Sequence, residues 1–159
     1  MNYNDKHESQ VRRYSRDFPT TFVSSNGAKI WDINNKMFID FFSGAGALNY
    51  GHNNSQLKKA LIEYIESDGI THSLDMATFA KEEFIKTFYQ TILNPRNLDY
   101  KIQFTGPTGS DAVEAAIKLA QIKSGRMNIF SFTNAYHGLT KGSLRLTANQ
   151  KYKKGLESD

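Results

Sequence analysis

The chain has 159 residues, 39% of them hydrophobic and 23% charged; with its 11 glycines the apolar share is about 46%, inside the globular range of roughly 45–50%, which excludes a disordered or fibrous chain. No apolar run approaches the roughly 18 residues of a membrane helix, and the start at Met1-Asn2-Tyr3-Asn4-Asp5-Lys6 lacks the apolar stretch of a secretory signal, so a cytoplasmic protein without a membrane partner is expected. Zero cysteines exclude disulfides, thiolate metal sites and thiol nucleophiles, and the 4 histidines lack an HExxH-type spacing, so no metal is expected.

The net charge of +4 gathers late, at Lys141, Arg145, Lys151, Lys153 and Lys154. Only Tyr152 interleaves with these charges, so the run reads as a solvated segment and no nucleic-acid partner is expected.

In chain order, residues 1–17 are polar apart from Val11, Tyr14 and a few neighbours, and read as an N-terminal arm. Three β-forming runs follow, Thr21-Phe22-Val23, Lys29-Ile30-Trp31 and Met37-Phe38-Ile39-Asp40-Phe41, parted by Asn26-Gly27 and by residues 32–36. They predict a small antiparallel meander with its first turn at Asn26-Gly27, because both residue types tolerate positive φ. The small residues of Ser43-Gly44-Ala45-Gly46-Ala47 let the backbone approach a ligand or another element closely. Ser55 is the predicted N-cap of a helix striped by Leu57, Ala60, Leu61, Tyr64 and Ile65 and ending near Gly69. A second helix is predicted from about Met76 to Leu93, burying Phe84, Ile85, Phe88 and Ile92, with Pro95 forcing its end.

Residues 101–105 read as a strand, Gly106-Pro107-Thr108-Gly109 as a tight turn and residues 111–122 as a helix stopped by Ser124-Gly125. Asp111 and Glu114 suit a capping box, and residues 127–132 read as a buried strand. Together they predict one βαβ unit and an α/β fold. A parallel sheet needs more than two strands, yet only 27 residues follow Phe132, so the chain is expected to be cut short. The expected division is an N-terminal segment with the small sheet and a helix, residues 1–68, followed by the beginning of a larger, incomplete domain, residues 69–159.

Two places suit chemistry. A strand feeding Gly106-Pro107-Thr108-Gly109-Ser110 into a helix makes an anion cradle from the first-turn N–H groups and the helix dipole, with hydroxyls at Thr108 and Ser110. Neither a GK[ST] nor a GxGxxG pattern is present, and any strand-to-helix turn shares the geometry, so a phosphate site and an ordinary turn both remain open. Asn134-Ala135-Tyr136-His137-Gly138 follows the second strand at the same carboxyl edge, where ligands of open sheets bind. Tyr136 there suits stacking on a flat ring, and equally suits a packed loop tyrosine beside a histidine satisfied by backbone.

Residues 41–54 (Phe41-Phe42-Ser43-Gly44-Ala45-Gly46-Ala47-Leu48-Asn49-Tyr50-Gly51-His52-Asn53-Asn54), Asp68-Gly69-Ile70-Thr71-His72, Gln103-Phe104-Thr105-Gly106-Pro107-Thr108-Gly109 and Phe132-Thr133-Asn134-Ala135-Tyr136-His137-Gly138 resemble, in unbroken order, the class III pyridoxal-phosphate-dependent aminotransferases. The likeness runs from about Val11 to Lys154 and is nearest to the diaminobutyrate-type subgroup. It implies the fold type I of pyridoxal-phosphate-dependent transferases, here its first part. The implied cofactor is pyridoxal 5′-phosphate, and the implied reaction moves the 4-amino group between L-2,4-diaminobutyrate and 2-oxoglutarate. Other donors of the family are ornithine, acetylornithine and 4-aminobutyrate; a non-catalytic remnant is a further alternative. The family also implies a homodimer or higher homo-oligomer.

By the same resemblance Thr108, Gly109 and Ser110 hold the cofactor phosphate, Tyr136 stacks on the pyridine ring, and His137, completed by Gly138, supports that motif. Ser43 and Gly44 match a segment near the substrate entrance. Leu139 stands where many relatives carry arginine, so no carboxylate clamp is assigned there, and Ser110-Asp111 replaces the Thr-Asn of the nearest subgroup. The cofactor-bonding lysine and the aspartate that pairs with the pyridinium nitrogen match no position up to Asp159. No catalytic residue is therefore expected in this chain, which alone is expected to be inactive.

Overall fold

The computed structural model describes residues 3–8, 18 and 20–154, so the arm residues Val11 and Tyr14 lie outside the described residues. The chain divides into two compact units, Met1–Thr78 and Phe79–Asp159.

In the first unit a short helix α1 (Tyr3–His7) precedes an antiparallel sheet of β1 (Phe22–Asn26), β2 (Lys29–Asp32) and β3 (Met37–Ile39), ordered β1-β2-β3. The expected meander is present, but its first turn lies one residue later than predicted. Asn26 pairs with Lys29, so the loop is Gly27-Ala28, and Gly27 takes the positive φ of +56°. Asn26 stays on the ladder. The second turn is built on Asp32, whose carboxylate accepts the N–H groups of Asn34 (2.9 Å) and Lys36 (2.8 Å) and the Thr20 hydroxyl (3.1 Å). Burial of Asp32 opposes ionisation, but the bonds from Lys36, Thr20 and Asn34 outweigh it and hold the carboxyl below its ordinary pKa. Edge-to-face aromatic pairs, Phe22 with Phe38 at 5.5 Å and Phe18 with Phe42 at 5.8 Å, brace the sheet.

Helix α2 (Ser55–Glu66) is capped by Asn54 and not by Ser55. Asn54 keeps a non-helical backbone, ψ 127°, and its side chain accepts from Gln56 N at 3.1 Å and Leu57 N at 3.2 Å, whereas Ser55 is already helical. The predicted stripe of Leu57, Leu61 and Ile65 is exposed, because nothing among the described residues packs over it.

In the second unit α3 (Phe79–Phe88) passes into a single π turn (Tyr89–Leu93) and a 3-10 turn (Asn94–Arg96) that contains Pro95. Phe84, Ile85 and Ile92, expected inside, are exposed; the buried side chain of this region is Leu93. Helix α4 (Gly109–Ser124) is the long element, closed by Gly125 at φ +68°, and α5 (Lys141–Leu146) follows. The strands expected at residues 101–105 and 127–132 do not form a ladder: both stretches belong to neither helix nor paired strand. An apolar run specifies burial, while a ladder also needs a neighbouring strand, and neither stretch meets one among the described residues. Phe130 is 99% exposed as a result. The α/β composition stands, with helix α4 between two unpaired stretches in place of a closed βαβ unit.

Candidate functional site

The turn into α4 is set by Thr108, whose extended backbone (φ −122°, ψ 154°) stops short of the helix. Its Oγ1 accepts from Asp111 N at 3.3 Å and donates to Asp111 Oδ2 at 3.0 Å, and Thr108 N donates to the same carboxylate oxygen at 3.3 Å. The capping box is therefore Thr108 with Asp111, replacing the predicted pair of Asp111 and Glu114. The one hydroxyl proton of Thr108 is given to Asp111. The N–H groups of Gly109 and Ser110 have no acceptor within the helix, and the Ser110 hydroxyl lies beside Gly138. A Cβ placed on Gly109 would meet nothing within 4 Å, so the first turn is open in front. Open first-turn N–H groups at a helix N-terminus suit an anion.

The loop after residue 132 runs directly against that turn. Gly138 is buried at φ +122°, and a Cβ there would strike the Ser110 and Ser143 hydroxyl oxygens. Thr147, fully buried, fixes the loop from the other side: its Oγ1 accepts from His137 N at 2.9 Å and donates to the Gly138 carbonyl at 2.9 Å. Ala148 N adds a bond to the Ala135 carbonyl at 2.8 Å. Tyr136 remains 57% exposed, its ring edge-on to Tyr152 at 5.9 Å. Thr108, Gly109, Ser110, Tyr136 and His137 thus lie in one unit, with Gly138 and Ser110 as the meeting point of the two motifs.

Glu114 has a different partner from the one the sequence suggests. Its Oε1 accepts from Thr140 Oγ1 at 2.5 Å, Gly142 N at 2.7 Å and Ser143 N at 3.0 Å, tying α4 to the start of α5. The bonds from Thr140, Ser143 and Gly142 exceed the cost of burial and hold the Glu114 carboxyl below its ordinary value.

Ser43 and Gly44 belong to the first unit. There the chain makes a left-handed turn, Ser43, Gly44 and Ala45 having φ of 50°, 57° and 55°; two of these are not glycine, a conformation that costs roughly 1–2 kcal/mol for each such residue. The turn is held by Asp40, whose Oδ1 accepts from Phe42 N (2.8 Å) and Ser43 N (2.9 Å) and whose Oδ2 lies 2.6 Å from His52 Nε2. Ser43, then His52 and Phe42, outweigh desolvation and keep the Asp40 carboxyl low. His52 is itself fastened to the hairpin, exchanging backbone bonds with Gly27 at 2.9 Å in both directions. These groups border a mainly apolar cavity of about 410 Å³ lined in part by Phe22, Ile30, Phe42, Gly44 and Leu48. Sequence reasoning missed the Asp40–His52 pair, because residues 12 apart in a turn-rich stretch leave no periodic signal. Among the described residues no group of acidic and histidine side chains is arranged to hold a metal, and no helix is long and apolar enough to cross a membrane.

The family model for class-III aminotransferases matches residues 11–159. The diaminobutyrate–2-oxoglutarate transaminase of Halalkalibacterium halodurans is 57% identical over 155 residues, which is 98% of this chain and 36% of that protein. That of Marinococcus halophilus is 56% identical over 95% of this chain and 35% of its own length. Among solved structures, an omega-transaminase from Thermomicrobium roseum superposes with a TM-score of 0.75 at 24% identity, over 98% of this chain and 36% of that one. A taurine:2-oxoglutarate aminotransferase from Bifidobacterium kashiwanohense, solved with PLP and glutamate, gives a TM-score of 0.70 at 26% identity, over 84% of this chain and 29% of that one. The chain spans about 36% of the length of the curated relatives it matches. The loops that meet at Ser110 and Gly138 therefore sit in a known fold, and the chain belongs to the class-III aminotransferase family.

Proposed function

We propose that this chain supplies the phosphate-anchoring and ring-stacking part of a pyridoxal 5′-phosphate-dependent aminotransferase that moves the 4-amino group between L-2,4-diaminobutyrate and 2-oxoglutarate, with aspartate 4-semialdehyde and glutamate as the other pair. The observation that carries the reading is the close approach of Gly138 to the Ser110 hydroxyl, which sets an open helix N-terminus beside an exposed tyrosine. An anion cradle next to an uncovered aromatic face fits a phosphorylated aromatic ring. The relatives' printed names supply the substrates.

When bound, the pyridine ring supplies the electron sink for amine exchange. The chain's own residues bind and orient. Gly109 N–H, Ser110 N–H and the Ser110 hydroxyl take the phosphate oxygens, while Thr108 keeps the turn in shape through Asp111. Tyr136 lies against the ring, and His137 supports it through its Thr147-bonded backbone. Ser43 and Gly44 belong to the substrate side. We assign no acid, base or covalent nucleophile to this chain. Residues 1–68 form the N-terminal segment and residues 69–159 the beginning of the cofactor-binding domain of a cytoplasmic homodimer or higher homo-oligomer.

The test is a steady-state comparison on the intact protein of diaminobutyrate, ornithine and 4-aminobutyrate at matched 2-oxoglutarate concentration. A site shaped for a four-carbon diamine misplaces a longer amine, and about 1 Å of misplacement costs on the order of a hundredfold in rate. Diaminobutyrate should give the highest kcat/KM. An equal or higher value for ornithine transfers the assignment to ornithine-type enzymes.

A further inference from the structure

We infer that Glu114 is a positioning residue that sets the ring-stacking tyrosine against the phosphate cradle; this rests on the functional reading given above. Ser110 and Glu114 are four residues apart on α4, hence neighbours on one helix face, and both face the segment after Tyr136. Ser110 meets that segment at Gly138. One turn further along, Glu114 Oε1 gathers the Thr140 hydroxyl and the N–H groups of Gly142 and Ser143. Three donors on one carboxylate oxygen make a charge-assisted clamp with little freedom to shift.

The clamp is shaped for this purpose. A Cβ at Gly142 would strike the Glu114 carboxylate, so glycine there leaves room for the acid to reach the backbone. Ser143, fully buried, ties the clamp back to the loop, its Oγ accepting from Thr140 N at 3.0 Å. Between the clamp and Tyr136 stand only His137, Gly138 and Leu139, and the first two are held by Thr147. The chain after Tyr136 is therefore held twice, by Thr147 at His137 and Gly138 and by Glu114 at residues 140–143, while Ala148 N holds Ala135 just before it. The cradle does not depend on Glu114, because Thr108 and Asp111 shape the turn by themselves.

That independence yields the test. The intact protein, Glu114→Gln, Glu114→Asp, Tyr136→Leu and the double variant Glu114→Gln/Tyr136→Leu are titrated calorimetrically with two probes. Pyridoxine 5′-phosphate carries ring and phosphate but no aldehyde; inorganic phosphate reads the cradle alone. Each Glu114 variant should lose about three- to tenfold in affinity for pyridoxine phosphate, the range of one aromatic stacking contact, and keep its affinity for inorganic phosphate within about twofold. The double variant should be no worse than Tyr136→Leu, since a residue acting through another is not additive with it. Equal losses for both probes, additivity in the double variant, or no loss of ring affinity would each overturn the inference. An unmutated protein that binds neither probe would overturn the functional reading and this inference together, an outcome distinct from the other three.

Discussion

Replacing Gly138 by alanine tests the contact on which the site is built. At φ +122° an L-residue is strained, a cost of order 1–3 kcal/mol. The new Cβ would also overlap the Ser110 and Ser143 hydroxyls and come within 2.9 Å of Ser110 Cβ. Ser143 is fully buried and cannot simply swing away. Overpacking of this kind adds about 1–3 kcal/mol, for a total of roughly 2–6 kcal/mol, a large part of the 5–15 kcal/mol that holds a typical domain together. Gly109→Ala is the control: its Cβ meets nothing within 4 Å and its place in the first turn of α4 makes alanine neutral to about 1 kcal/mol stabilising. Equilibrium urea unfolding of the intact protein measures both. Equal stabilities for the two variants would refute the packing of the loop against Ser110.

Asn54→Ala should cost about 1 kcal/mol through the lost cap, while Ser55→Ala should change stability by less than about half of that; unfolding midpoints of the two variants check it. Asp32 and Asp40 have folded-state pKa values held below the ordinary 3.8, so their stabilisation is complete above that value and disappears as pH falls through the folded one. Asp40→Asn should therefore flatten the acid limb of the stability curve, and an acid limb parallel to that of the unmutated protein speaks against the network. Ser110→Ala removes one charge-assisted bond and should lower cofactor affinity about ten- to a hundredfold in a titration, with Asn54→Ala unchanged; equal affinities for these two variants would count against the cradle.

Local chemistry was legible in the residues, and pairing at a distance was not. Alternating β-formers around a glycine announced the hairpin, yet which residue turns depends on where the ladder stops, and Asn26 is still paired. Asn54 and Ser55 are both good caps, and only the backbone angle distinguishes them. Residues 101–105 and 127–132 show the apolar pattern of inner strands, but a strand is completed by a neighbour that its own sequence does not specify. Glu114 looked like a helix-start acid because its partners lie 26 to 29 residues ahead. The sequence order alone brought the α4 turn and the Tyr136 motif together, although the sheet edge expected to carry them does not form among the described residues; what the sequence withheld was how they touch, through a buried glycine against a serine hydroxyl.

On the proposed reading, the α4 turn and the Tyr136 loop form one seat for a phosphorylated pyridine ring. An experimental structure of the intact protein with pyridoxal 5′-phosphate bound tests it most directly. Phosphate oxygens should lie at hydrogen-bond distance, about 3 Å, from Gly109 N, Ser110 N and Ser110 Oγ, with the Tyr136 ring over the pyridine. A phosphate seated elsewhere, or a ring covered by another residue while Tyr136 stays on Tyr152, would contradict it.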